Sequence, residues 1–137
     1  MLQDVKVGHE VPRFERRSGF ETWNRYAAVN DEFVPIHMDD AAGRAAGYPG
    51  AFGMGNLQWA YLHNMLRDWL DDEGVIRSVA CQFRNPNLQG QVVSACGVVE
   101  TVTPTGDGTA VTLRVWTEDQ DGTVLAPGSA EVWIPQI

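Results

Sequence analysis

The sequence predicts an α+β chain in which one long buried helix is wrapped by a curved antiparallel sheet. Three observations carry that expectation. The segment "NLQWAYLHNMLRDWL" is apolar at 57, 59–62, 65, 66, 69 and 70, which leaves little polar face and puts a helix in the middle of a domain. After "DDEG" the apolar period becomes that of strands: "IRSVACQFRNP", "QVVSACGVVETVT", "TAVTLRVWTED" and "TVLAPGSAEVWIP" alternate or run β-branched. With 137 residues, 44% of them hydrophobic and 20% charged, the chain 1–137 has the size of one domain with one core, which helix and strands must share.

The elements follow in order. Asp4 to Phe20 holds short runs broken by Gly8, Pro12 and Gly19, a leading loop and an edge strand that adds to the sheet. "GFETWNRYAAVN" reads as a short helix with Thr22 as its N-cap and Trp23, Tyr26, Ala27 and Val29 on its apolar side. "NDEFVPIHMDD" is a loop stiffened by Pro35. "MDDAAGRAAG" forms a second short helix, capped by one of its aspartates and ended by Gly47. The glycine-rich connector "YPGAFGMG" leads into the central helix, Asn56 to Leu70. The strands beyond it are joined by "NLQG", "PTGDG" and "DQDG", read as tight turns that give consecutive antiparallel neighbours. "TPTGDGTA" has a phosphate loop's glycines without its lysine or following helix, so it is a hairpin turn. Trp59 and Trp69 on the helix, and Trp116 and Trp133 on strand faces, are expected to pack the core.

Charge and cysteine usage narrow the function. A net charge of −8 argues against nucleic acid or an anionic membrane as main partner. An anionic cofactor needs only a local basic patch; Arg13, Arg16 and Arg17 offer one, with a plain solvated face as the alternative. Cys81 and Cys96 sit in alternating apolar segments, as free buried thiols do in a reducing compartment. Neither has a histidine near it in sequence, so neither reads as a nucleophile. "MLQDVKVGHEVPRFERR" has no signal-peptide core and no window approaches a membrane span, so the expected location is the cytoplasm. His9 and His63 have bland readings, as a terminal surface residue and a helix residue beside Asn64. No histidine has a carboxylate or cysteine at ligand spacing; no metal and no cofactor are expected.

Two features point to chemistry. His37 carries the side chain whose ordinary pKa lies nearest neutrality, and Asp31 or Glu32 lies a few residues upstream across Pro35. Taken alone, a histidine is more often satisfied by a backbone carbonyl than used as a base. The stiff loop and nearby carboxylate favour an acid/base pair. The second feature is "YPGAFGMGN", where glycines lead into the first N–H groups of a buried helix. Such N–H groups suit a developing oxyanion or a thioester carbonyl, although glycines can equally serve a plain loop.

Together these residues resemble the MaoC-like dehydratases, the hydratase branch of the hot-dog fold. That family carries Tyr-Ala-x-x-Ser-Gly-Asp-x-Asn-Pro-x-His, then an Asp, an Ala-rich helix, a Gly, and an Ala-His-Gly-Met start to its central helix. The stretch "YAAVNDEFVPIHMDDAAGRAAGYPGAFGMGN" matches it without a gap from Tyr26 to Asn56, and "QFRNPNLQGQVV" resembles the family's Arg-Phe-x-x-Pro-x-x-x-Gly-Asp strand and turn. The resemblance implies a hot-dog fold with His37 as catalytic histidine, Glu32 as catalytic acid and Gly55 N–H as oxyanion donor. Asp31, Val34, Pro35, Gly50, Phe52, Gly53 and Met54 then shape the substrate site. Three positions depart from the pattern: Glu32 replaces Asp, Val34 replaces Asn, and Met54 replaces the His before the glycine.

The activity implied is that of an (R)-specific 2-enoyl-CoA hydratase or 3-hydroxyacyl thioester dehydratase. Its substrate would be a CoA or acyl-carrier-protein thioester of fatty, polyketide or steroid type, and its assembly a homodimer or a heteromer with a second MaoC-like subunit. One alternative is a hot-dog acyl-CoA thioesterase, which a carboxylate on the central helix would favour; no Asp or Glu lies between Asn56 and Arg67. The other is a non-catalytic, binding subunit of a heteromeric dehydratase, motivated by Val34 and Met54.

Overall fold

The computed structural model describes residues 2–136, the side chain of Gln3 excepted. Its centre is a helix, α3 (Gly55–Leu70), packed against one sheet of five antiparallel strands. Two short helices, α1 (Phe20–Asn30) and α2 (Asp40–Ala45), precede it, with a 3₁₀ turn at Pro35–His37 between them. The strands are β1 (Glu10–Arg17), β2 (Val75–Cys81), β3 (Val92–Thr105), β4 (Gly108–Glu118) and β5 (Val124–Pro135), in the order β1-β3-β4-β5-β2. This is the hot-dog arrangement.

Burial explains the wrapping. Leu57, Tyr61, Leu62, Met65, Leu66 and Leu70 of α3 are buried against Val93, Val99, Val111, Leu113, Val115 and Val132 on the concave face of the sheet. Each such side chain removed from water contributes roughly 1.5–3 kcal/mol, so this face carries most of the fold's stability. The helix is not buried all round, however. Trp59 is 41% exposed and lies on the outward flank with the exposed Asn56, Asn64, Arg67 and Asp68. Trp59 therefore does not pack the core; its indole Nε1 donates to the Val79 carbonyl on β2 at 3.0 Å.

Two further elements differ from expectation. Helix α1 begins at Phe20 with Gly19 at the N-cap, so Thr22 lies inside its first turn. The cause is upstream. Ser18 is tied to the sheet by Ser18 N–H to the Gln91 carbonyl and Gly90 N–H to the Ser18 carbonyl, each 2.7 Å, and the chain turns into the helix at once. The second difference is the connection after β2. Residues 82–91 do not turn back as a hairpin. They are longer than a tight turn and carry Pro86, and they let β2 pair with β5 while β3 pairs with β1 and β4. The turns at Gly106–Asp107 and Asp119–Gly122 do form hairpins, the latter held by Asp119 Oδ1 accepting from Asp121 N–H and Thr123 N–H. The N-terminal strand joins the sheet as an edge strand beside β3, with a bulge at Pro12 and Arg13, where proline has no N–H to donate. Among the described residues, no helix is long and apolar enough to cross a membrane.

Both cysteines are free, and Cys96 is buried on the convex face of β3. Its thiol is pushed up to about 12, first by burial and then by donating to Glu118 Oε1 at 3.4 Å. A thiol so protonated is no nucleophile at neutral pH. The fold keeps the proton above 9.0, where an unfolded cysteine ionises, so unfolding releases it and stability falls as pH climbs from 9.0 towards 12. A disulfide-exchange reagent should therefore label Cys81 in the native chain and reach Cys96 only on unfolding. Cys96→Ala should flatten the alkaline part of the stability curve.

Candidate active site

The loop after α1 is shaped by its backbone. Asp31 ends the helix in the left-handed region at φ 54°, a conformation that Asp tolerates better than most residues, and Glu32 N–H returns to the Ala27 carbonyl at 3.0 Å. Asp31 is exposed and Glu32 half-buried. The chain then extends through Val34, which is 38% exposed, into the 3₁₀ turn. Pro35 starts that turn, where a missing N–H costs nothing, and its carbonyl accepts from Met38 N–H and Asp39 N–H. Asp39 caps α2 through its carboxylate, while Asp40 Oδ1 accepts from Ala51 N–H at 2.9 Å and ties α2 to the connector ahead of α3. A Cβ on Gly50 would lie 2.8 Å from that Asp40 oxygen, so the bond needs glycine there.

His37 is anchored by the same connector. Phe52 N–H donates to the Ile36 carbonyl at 3.1 Å, and His37 Nδ1 lies 2.6 Å from the Phe52 carbonyl. A carbonyl only accepts, so Nδ1 carries the proton and Nε2 of the neutral ring is left as the basic atom. The imidazole is buried, with its ring edge-on to Phe52 at 5.3 Å. Glu32 and His37 lie at the two ends of one short loop, yet among the described residues no hydrogen bond joins them. Glu32 does act on Tyr26: the phenol is raised first by burial, and the Glu32 charge raises it further against a lowering hydrogen bond from Asn30.

A cavity of about 200 Å³ opens beside this anchor, walled by Tyr48, Phe52, Gly53, Gly55, Gln58 and Phe83, with Arg84 at its rim. Gly55 is the first residue of α3, and among the described residues its N–H has no acceptor. Ala51, Gly53 and Met54 also match the Ala-x-Gly-Met pattern of the resembled family, two residues ahead of the ungapped register that selects Gly55. Gly53 N–H, however, is already donated to the Asn87 carbonyl at 2.7 Å, which leaves Gly55 as the glycine with a free donor. Met54 contributes only backbone here, since its side chain is 1% exposed in the core. A larger cleft of about 470 Å³ lies at the β3–β4 hairpin and Pro135, but no ionisable side chain lines it.

The basic cluster does not stay free. Arg13 pairs with Glu118 at 3.6 Å, Arg16 lies over the Phe14 ring at 4.0 Å, and Arg17 Nη1 is 3.5 Å from the Gly90 carbonyl.

Four residues of the site were not evident beforehand. Gln58 stands alone as a polar residue on the apolar side of α3, a signal the sequence does hold. Phe83 covers Gly55. Trp23 and Asn87 are both wholly buried, and a Cβ on Gly53 would lie 2.8 Å from Trp23 Nε1 and 2.9 Å from Asn87 Nδ2. Gly53→Ala must push against this packed interior. It should cost about 1–3 kcal/mol, read as a lower urea midpoint at unchanged m-value. Gly55→Ala should cost less, because the Phe83 ring that its Cβ would meet at 2.6 Å is exposed and can swing away.

No protein-family model and no curated protein sequence matches the chain. Solved structures do match. The (R)-hydratase from A. caviae involved in PHA biosynthesis is 23% identical with a TM-score of 0.85, covering 97% of this chain and 99% of that one. The MaoC-like dehydratase from Rhodospirillum rubrum is 23% identical with a TM-score of 0.85, covering 99% and 97%. The ChsH1–ChsH2 complex from Mycobacterium tuberculosis is 19% identical with a TM-score of 0.81, covering 94% and 98%. The chain has the hot-dog fold of these proteins from end to end.

Proposed function

We propose that the chain is a MaoC-like hydro-lyase that adds water reversibly to a 2-enoyl thioester, giving the (R)-3-hydroxyacyl thioester. The observation that carries this reading is the His37 Nδ1 bond to the Phe52 carbonyl: it leaves Nε2 as the ring's basic atom and ties His37 to Phe52, a wall residue of the cavity at the N-terminus of α3. Nε2 takes a proton from water as the water oxygen bonds to C3. The C2=C3 electron pair moves toward the thioester oxygen, where Gly55 N–H and the positive end of α3 stabilise the charge. A proton returned to C2 from the Glu32–His37 pair completes the addition. Similarity to (R)-hydratase and dehydratase structures supports the same chemistry.

A second reading is favoured by what surrounds the site. Phe33, Val34, Tyr48 and Phe83 are apolar and exposed on its loop and rim, and the outer edge of β2 has no strand beside it among the described residues. A second copy, or a second MaoC-like chain, would cover such surfaces. In the heteromeric case this chain would be the binding partner rather than the catalyst, and its likeness to the ChsH1–ChsH2 complex bears on that. The purified chain assayed alone on crotonyl-CoA, by loss of enoyl-thioester absorbance, separates the two. Turnover by the lone chain supports the first reading; turnover only with a second chain supports the other.

A further inference from the structure

We propose that Gln58 is a second hydrogen-bond donor to the substrate's thioester oxygen, beside Gly55 N–H; this deepens the thioester reading above and rests on it. Gln58 is 2% exposed on a helix side otherwise formed by Leu57, Tyr61 and Leu62, where hydrocarbon would be expected. Its carboxamide is held from one end: Thr117 of β4, itself wholly buried, donates Oγ1–H to Gln58 Oε1 at 2.5 Å. With Oε1 engaged, the free polarity of the side chain is the pair of N–H groups on Nε2. Among the described residues nothing accepts from them, yet Gln58 forms part of the cavity wall with Phe52 and Gly55. The N–H pair is thus available to an acceptor that enters the cavity.

The position selects that acceptor. Gln58 follows Gly55 by three residues, so the two are neighbours on one face at the N-terminal end of α3. Two N–H donors of separate origin, one backbone and one side-chain, then converge on a single developing oxyanion. Thr117 does not touch the substrate; it is a positioning residue that keeps Oε1 turned away and Nε2 turned in.

The test uses the full chain, with crotonyl-CoA for turnover and butyryl-CoA labelled with ¹³C at its carbonyl as a bound, unreactive probe for infrared difference spectra. Gln58→Leu and the length-matched Gln58→Met should lower kcat by on the order of a hundredfold, with KM changed less than about threefold. The bound carbonyl band should move to higher frequency than in the wild type, because one donor is lost. Thr117→Val should give a smaller shift in the same direction, and Thr117→Ser should restore the wild-type band. If either Gln58 variant folds, keeps kcat within about twofold and leaves the carbonyl band in place, Gln58 is not a donor to that oxygen. Activity lost with an unmoved band would overturn the proposal too and point to a contact further along the acyl chain. A wild-type chain that neither binds butyryl-CoA nor hydrates crotonyl-CoA would instead remove the thioester reading, and this inference with it.

Discussion

Replacing His37 by Asn should lower hydration of crotonyl-CoA by about a hundred- to ten-thousandfold while the chain stays folded. The asparagine amide can reproduce the Nδ1 donor and keep the bond to the Phe52 carbonyl that ties the 3₁₀ turn to the connector before α3. What it lacks is an atom at the Nε2 position. His37→Gln has the opposite defect, placing an amide near Nε2 while giving up the anchor, so it should lose both activity and stability. Turnover measured beside thermal unfolding distinguishes them. An Asn variant that unfolds at the wild-type temperature and retains wild-type kcat would remove His37 from the chemistry.

Glu32→Gln is expected to cost on the order of a hundredfold or more in kcat, with KM little changed. The substitution preserves shape and removes only the charge and the proton-accepting oxygen. Glu32 is half-buried at the end of α1, and its backbone is fixed by the bond to the Ala27 carbonyl, so a glutamine has no freedom to escape the position. Glu32→Asp keeps the charge but withdraws the carboxylate by one methylene from a loop that does not follow it. A displacement of about 1 Å can cost roughly a hundredfold, so this variant should also be impaired, though less than the glutamine. If Asp31→Asn were the damaging substitution instead, the exposed residue of the pair would be the acid.

Much of the fold was legible because its elements carry strong periodic signals. The alternation in β3, β4 and β5, and the long apolar side of α3, each state one period over many residues. The order of the strands was less accessible. Whether the 82–91 segment turns back beside β2 or crosses the sheet to place β3 between β1 and β4 is a non-local matter that local turn residues do not encode. The exposure of Trp59 is non-local in the same way: residue type alone does not say that this flank of α3 lies outside the sheet's curve. Among the expected site residues, Glu32 and His37 share one loop and Gly55 opens the long helix, so local sequence alone suggests them. Gln58, Thr117, Trp23 and Asn87 come from four different elements, and only folding brings any of them to the cavity or to Gly53.

Stereospecific addition of water across an enoyl thioester can be read from the reverse reaction. The purified chain is incubated separately with (R)- and (S)-3-hydroxybutyryl-CoA, and enoyl-thioester absorbance is followed with time. Absorbance should grow with the (R) isomer alone, and at least about a hundredfold more slowly for the His37→Asn variant. Growth with both isomers, growth with (S) alone, or undiminished growth in the variant would contradict the proposed reaction.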